Sequence, residues 1–142
     1  MNLKIFLYEV YSETIQRGEL TGEPVKTGAE SEFSDRLAGH LDMIDPYLRL
    51  VSREASTPVG RIDLLCADEN GQAVAIEVKR ARVNVGDCYQ LIRYLDALEE
   101  SPEWRHTKAR GILVAPVLAK TAKPLIDGER IRFCRLGYDD IC

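Results

Sequence analysis

The run Gly60-Arg61-Ile62-Asp63-Leu64-Leu65-Cys66-Ala67, the link Asp68-Glu69-Asn70-Gly71-Gln72 and the run Ala73-Val74-Ala75-Ile76-Glu77-Val78-Lys79 decide the fold of this chain. Both runs are short, aliphatic and separated by turn-forming residues, which is the pattern of a β-hairpin. If Glu69-Asn70-Gly71 is a three-residue loop with Gly71 left-handed, Asp68 faces Gln72, and counting outward sets Asp63 opposite Glu77. A two-residue Asn70-Gly71 turn would shift that register by one. Alternation along the second run puts Ala75, Glu77 and Lys79 on one face and Val74, Ile76 and Val78 on the other. Opposed carboxylates with Cβ atoms ~5 Å apart repel by up to ~4 kcal/mol at an intermediate dielectric. A divalent cation between them turns that repulsion into coordination. Spacing alone fits a Lys79–Glu77–Asp63 surface salt-bridge ladder equally well, which would contribute little.

Outward from the hairpin, Phe33, Leu37, Leu41 and Ile44 recur at helical spacing, with Pro46 beyond them, and predict a helix over 29–44. Leu48–Ala55 reads as a strand, and Thr57-Pro58-Val59-Gly60 turns the chain into Arg61–Ala67, followed by Gln72–Lys79. Residues 85–100 form an amphipathic helix with Cys88, Leu91, Ile92, Leu95 and Leu98 on its apolar side. Gly111–Ala115 is a buried strand, 118–127 a further helix and Ile131–Leu136 a last strand. Residues 1–28 read as an apolar strand and a polar, Gly-containing stretch, forming a hairpin or an N-terminal arm ahead of a domain over 29–142. This order implies an α/β fold with a mixed central sheet, antiparallel on one side and flanked by helices.

A length of 142 residues suits one core, and a chain 45% hydrophobic and 30% charged is neither disordered nor low in complexity. No run approaches the ~20 apolar residues of a membrane span. Met1–Tyr11 is interrupted by Glu9 and lacks a small-residue cleavage site, so a soluble, cytoplasmic protein is expected. Cys66, Cys88, Cys134 and Cys142 form no C-x-x-C pair, and with only His40 and His106 the chain has no zinc-like spacing. Net charge is −4, composed of −7 over residues 1–100 and +3 over 101–142. From charge alone, a C-terminal part that meets phosphates and a solvated mixed-charge surface fit equally well.

Asp63 followed by Glu77-Val78-Lys79 resembles the D…E-x-K core of the PD-(D/E)XK nucleases, with Ile62 where Pro is frequent. Gln90-Leu91-Ile92-Arg93-Tyr94 resembles the Q-x-x-x-Y motif of their RecB-like branch. Thr57–Leu65, Ile76–Arg80, Gln90–Leu95 and Gly111–Pro116 together are similar to the C-terminal catalytic domain of the NucS/EndoMS endonucleases, a likeness covering roughly 28–137. That family has a separate N-terminal DNA-binding and dimerising domain, which 28 residues are too few to supply, so mismatch or branch specificity is not implied.

The resemblance implies a restriction-endonuclease-like αβββαβ core and hydrolysis of DNA phosphodiester bonds with Mg²⁺ or Mn²⁺, RNA being an open second substrate. It implies a metal set of Asp63, Glu77, the Val78 carbonyl and a Glu on the first helix. Glu30 lies within the Phe33–Leu37–Leu41–Ile44 stripe and Glu32 outside it, which selects Glu30. Lys79 would orient the attacking water, and Gln90 and Tyr94, one turn apart, would bind the scissile phosphate or orient Lys79. Arg61, Arg80, Arg82 and Arg93 would hold adjoining phosphates, and Trp104 either stacks on a base or anchors a loop. A homodimer through an Ile5-Phe6-Leu7-Tyr8 edge strand, or a larger complex that selects substrate, would complete the assembly. The alternative is a binding module that keeps the nuclease fold without turnover.

Overall fold

The structure, a computed structural model, describes residues 28–141; the expected N-terminal arm and its Ile5–Tyr8 edge lie outside the described residues. Helix α1 (Gly28–Ala38) leads through a 3₁₀ turn (Leu41–Met43) to β1 (Arg49–Thr57), β2 (Gly60–Ala67) and β3 (Ala73–Val78). Helix α2 (Val85–Glu100) then connects to β4 (Arg110–Ala115), and a loop leads on to β5 (Ile131–Arg135) and a 3₁₀ turn at Tyr138–Asp140. The strands form one sheet in chain order, antiparallel from β1 to β3 and parallel from β3 to β5. This is the restriction-endonuclease-like α/β core expected from the sequence, with β3 at its centre and every residue of β3 buried.

Two apolar clusters occupy the two faces of the sheet. Phe33 and Leu37 of α1 pack with Leu64, Cys66, Val74, Ile76 and Val78 on one face. Leu91, Tyr94 and Leu95 of α2 pack with Ile62, Leu65, Ala75 and Leu113 on the other. The hairpin register is the one read from the sequence: Leu64 pairs with Ile76, Cys66 with Val74 and Ala67 with Ala73. Gly71 is left-handed at φ +78°. Its N–H donates to the Asp68 carbonyl at 2.9 Å, and the Asp68 N–H donates to the Gln72 carbonyl at 3.0 Å. Asn70 and Gln72 N–H groups both donate to Asp68 Oδ1, so the loop is tied from inside.

Two expected helices are corrected. The first ends at Ala38 rather than at residue 44, because Gly39 is the costliest helix residue short of proline and the chain closes there with a Gly39 N–H bond to the Arg36 carbonyl. Leu41 and Ile44 still reach the α1-side cluster through the 3₁₀ turn. The helix expected over 118–127 is only a 3₁₀ turn at Lys123–Leu125, since Pro124 cannot donate in a helix interior. Its start is instead extended: Val83 N–H donates to the Val117 carbonyl and Ala119 N–H to the Val83 carbonyl, both at 2.9 Å. No helix among the described residues is long and apolar enough to cross a membrane.

Helix α2 lies so close to β4 that a Cβ on Gly111 would meet Leu91 side-chain carbons at 2.6–2.9 Å. Gly111→Ala is therefore expected to destabilise the protein by about 1–3 kcal/mol through overpacking, read as a shift in the urea midpoint. A change within experimental scatter would mean that α2 rests on the sheet more loosely than these distances require.

Candidate active site

The β2–β3 ladder ends at Leu64–Ile76, although β2 continues beside β1 to Gly60 and β3 continues beside β4 to Val78. The two strands part just where Asp63 and Glu77 stand. The bonded Asp68–Gln72 pair sets the phase of an antiparallel ladder, in which bonded pairs alternate with non-bonded ones. By that phase the next rung would join Val78 to Ile62. Instead the Val78 N–H donates to Asp63 Oδ2 at 2.8 Å, and the Asp63 N–H donates to Glu77 Oε2 at 2.9 Å. The carboxylates thus take the place of backbone acceptors between the strands.

This substitution distorts β2 and its other neighbour. Ile62 and Leu65 both face the α2-side cluster while Leu64 faces the α1 side, so alternation breaks at Asp63. Across from Asp63, Glu54 adopts φ +50° between the pairs Arg53–Leu64 and Ala55–Ile62. A non-glycine residue in that region carries roughly 1–2 kcal/mol of strain. Sequence alternation set Asp63 and Glu77 at one level, but not their bonds to the backbone. Those depend on where the strands separate, which a local pattern does not encode.

Both carboxylates are buried, Asp63 at 5% and Glu77 at 7% exposure. Burial works to push the Lys79 ammonium down, but Asp87 first, then Glu30, Glu77 and Asp63, together hold it above its ordinary value. Lys79 therefore stays charged through the neutral range. Its Nζ lies 3.4 Å from Asp87 Oδ1. Asp87 is also the third residue of α2, where its Oδ2 accepts the Asn84 N–H at 2.7 Å in a capping box. It ties the helix N-terminus to the lysine, a role that sequence reading missed. The Asn84-x-x-Asp87 pattern signalled a cap, but nothing local marks a contact from a cap to another strand.

Glu30 Oε2 accepts the Arg80 N–H at 3.4 Å, while Glu32, two residues on, is exposed. Gln90 and Tyr94 meet the β1–β2 turn. Gln90 Nε2 donates to the Val59 carbonyl at 3.2 Å, and a Cβ on Gly60 would lie 3.0 Å from the Tyr94 hydroxyl. Gly60, at φ +133°, lets the turn approach them. Among the expected phosphate ligands, Arg61 pairs with Glu54 at 3.6 Å, Arg82 and Arg93 are exposed, and Arg80 is half-buried.

Trp104 packs against the α2-side cluster as a loop anchor. Burial pushes the Cys66 and Cys88 thiols up to about 12, Asp87 adding to the rise at Cys88, so both are inert core residues. Among the described residues no three His, Cys, Asp or Glu side chains form a ready-made ligand group for a metal ion.

Comparisons with known proteins place the chain among others of this fold. Residues 29–140 match the family described as the endonuclease NucS C-terminal domain. The endonuclease NucS of Thermococcus kodakarensis is 34% identical over 134 residues, covering 94% of this chain and 52% of that protein. A repair endonuclease from Pyrococcus abyssi superposes with a TM-score of 0.69 at 29% identity, covering 80% of this chain and 49% of the other. An EndoMS–dsDNA complex gives 0.69 at 33%, covering 80% and 46%. The chain thus spans about half the length of the relatives it matches.

The hydrogen bond to Val78 separates two substitutions at position 63. Asp63→Asn keeps a carbonyl oxygen for that N–H and removes a charge from beside Glu77, so its stability in EDTA is expected to equal or exceed the parent's. Asp63→Ala leaves the buried N–H without an acceptor and is expected to cost about 1–3 kcal/mol. Equal losses in urea titrations of both variants would show that the charge of Asp63, not its acceptor oxygen, holds the strands.

Proposed function

The chain belongs to the NucS C-terminal endonuclease domain family, and on that premise we propose that residues 29–142 are a divalent-metal-dependent nuclease domain hydrolysing DNA phosphodiester bonds, preceded by an arm over 1–28. The observation that carries the reading is the pair of buried carboxylates set where β2 and β3 part, with Lys79 and Glu30 beside them. The pair lies at the carboxyl end of β3, where parallel strands open a crevice for ligands.

The donor set fits a hard cation. A carboxylate offers two oxygens with about four lone-pair positions, so it can accept from a backbone N–H and ligate a cation as well. Mg²⁺ is ordinarily held by one or two carboxylates and keeps several waters. Asp63 and Glu77 would hold Mg²⁺ or Mn²⁺ directly with the Val78 carbonyl, and Glu30 would act through a water. When bound, such an ion lowers the pKa of its water and offsets charge on the phosphate.

The chain's own residues do the rest. Lys79, kept as an ammonium, donates to the attacking water or a phosphate oxygen and offsets developing negative charge; it is no base. Asp87 fixes its position from the α2 N-terminus. Gln90 and Tyr94 fix the β1–β2 turn that leads into Asp63, so their part is to set the strand as well as to meet phosphate. Arg80, Arg82 and Arg93 bind neighbouring phosphates without reading sequence.

DNA cleavage is expected in Mg²⁺ or Mn²⁺ and abolished by EDTA. Asp63→Asn should lower the rate by at least about 10²-fold, and Glu30→Gln should slow it far more than Glu32→Gln. Either metal should raise the melting temperature of the parent but not of Asp63→Asn, because the ion binds the native site. Cleavage that survives exhaustive chelation would sink the proposal. DNA binding with no turnover in any metal would identify a binding module in its place.

A further inference from the structure

Tyr138, in the 3₁₀ turn after β5, carries two arginines over its ring. The Arg36 guanidinium, from α1, and the Arg80 guanidinium, one residue past Lys79, each lie 4.0 Å from the ring centroid. Phe33 meets the same ring edge-on at 6.2 Å, and Arg36 Nη1 donates to the Ile141 carbonyl at 2.9 Å. The stack is therefore locked to α1 and to the core.

Among the described residues, no carboxylate neutralises the charges on this stack. Arg53, Arg61, Arg110 and Arg130 each pair with a carboxylate, whereas among the described residues Arg36 and Arg80 have no acidic side chain within ion-pair distance. The nearby Asp140 turns its Oδ2 to the Gly137 N–H at 2.6 Å instead. Each cation is attracted to the ring face, but the two repel one another, so a second arginine adds little to stability. A polyanion that touches both turns the repulsion into attraction. Arg80 is also anchored at the active site through its own N–H and Glu30.

We infer that the Arg36–Tyr138–Arg80 stack is a phosphate-binding ridge that receives the DNA backbone beside the scissile phosphate, with Tyr138 as the residue that positions both cations. The inference rests on the nuclease reading and extends it to two residues, Arg36 and Tyr138, that the sequence motifs do not reach. A guanidinium attracted to a ring face still has N–H groups that phosphate oxygens can accept from, since cation–π attraction does not consume its five donors.

The test is equilibrium binding of a short duplex DNA to the full chain in EDTA, over a series of salt concentrations. Arg36→Gln should weaken binding several-fold and reduce the log–log salt slope by about 1, as expected for one lost phosphate contact. Tyr138→Leu removes no charge but should also weaken binding several-fold, and Tyr138→Phe, which keeps the ring, should restore it. A parental slope in an Arg36→Gln protein whose melting curve is intact would overturn the ridge, as would equal binding by the Leu and Phe variants. If the parent chain cuts DNA while these results fail, only the ridge falls; if it neither binds nor cuts DNA, both readings fall.

Discussion

Where β2 leaves β3, two backbone N–H groups in a buried setting need acceptors, and the opposite strand supplies them from the side chains of Asp63 and Glu77 rather than from backbone carbonyls. A buried N–H left unsatisfied costs about 1–3 kcal/mol, while a bond to an ionised acceptor is among the stronger ones a protein makes. The carboxylates are therefore structural and chemical at once. Because they sit on strands of the central sheet, one bonded to each strand, their separation is fixed by the sheet itself and not by a loop. That is the kind of support a metal-binding pair requires. Lys79 N–H meanwhile donates to the Val114 carbonyl at 2.8 Å, which keeps β3 beside β4 as β2 departs.

The same substitution leaves an electrostatic deficit. Asp63, Glu77, Glu30 and Asp87 all act on one ammonium, that of Lys79. Four carboxylates against one lysine leave the centre formally acidic even before substrate, itself an anion, arrives. A dication and the surrounding arginines would meet that deficit under the proposed function. Under that proposal the acidic overall charge of −4 would be consistent with the function, since the carboxylates proposed to hold the metal contribute to the excess.

Much of this was legible in the sequence because the relevant signals were local. Gly71 as the left-handed residue of a three-residue loop fixed the register, and with it the level of Asp63 against Glu77. Helix α2 has the bounds expected for it, since Asn84 and Asp87 cap its start and Ser101-Pro102 ends its pattern. What stayed hidden was non-local. The apolar spacing of Leu118, Ala122, Leu125 and Ile126 is helical, yet these residues reach the core from a chain that is extended at its start and broken by Pro124. Gln90 and Tyr94 lie on the expected helix, but that they meet the β1–β2 turn depends on how closely α2 and Gly60 approach. The Asp87–Lys79 contact joins a helix cap to another strand.

Charge along the chain was the least informative signal. Residues 101–142 hold an excess of +3, which fits a phosphate-facing segment and a solvated mixed-charge surface equally well. In three dimensions Arg110 pairs with Asp68, and Arg130 with Asp96 and Glu99, so two of those cations are spent on acids from the preceding hundred residues. The cations placed against an aromatic ring instead of a carboxylate include Arg36 and Arg80, from the acidic part of the chain. A segment's net charge averages over pairs that folding makes, whereas an anion responds only to the cations that folding keeps away from acids. Position in the fold, set here by α1 packing Phe33 and Arg36 against Tyr138, decides which those are.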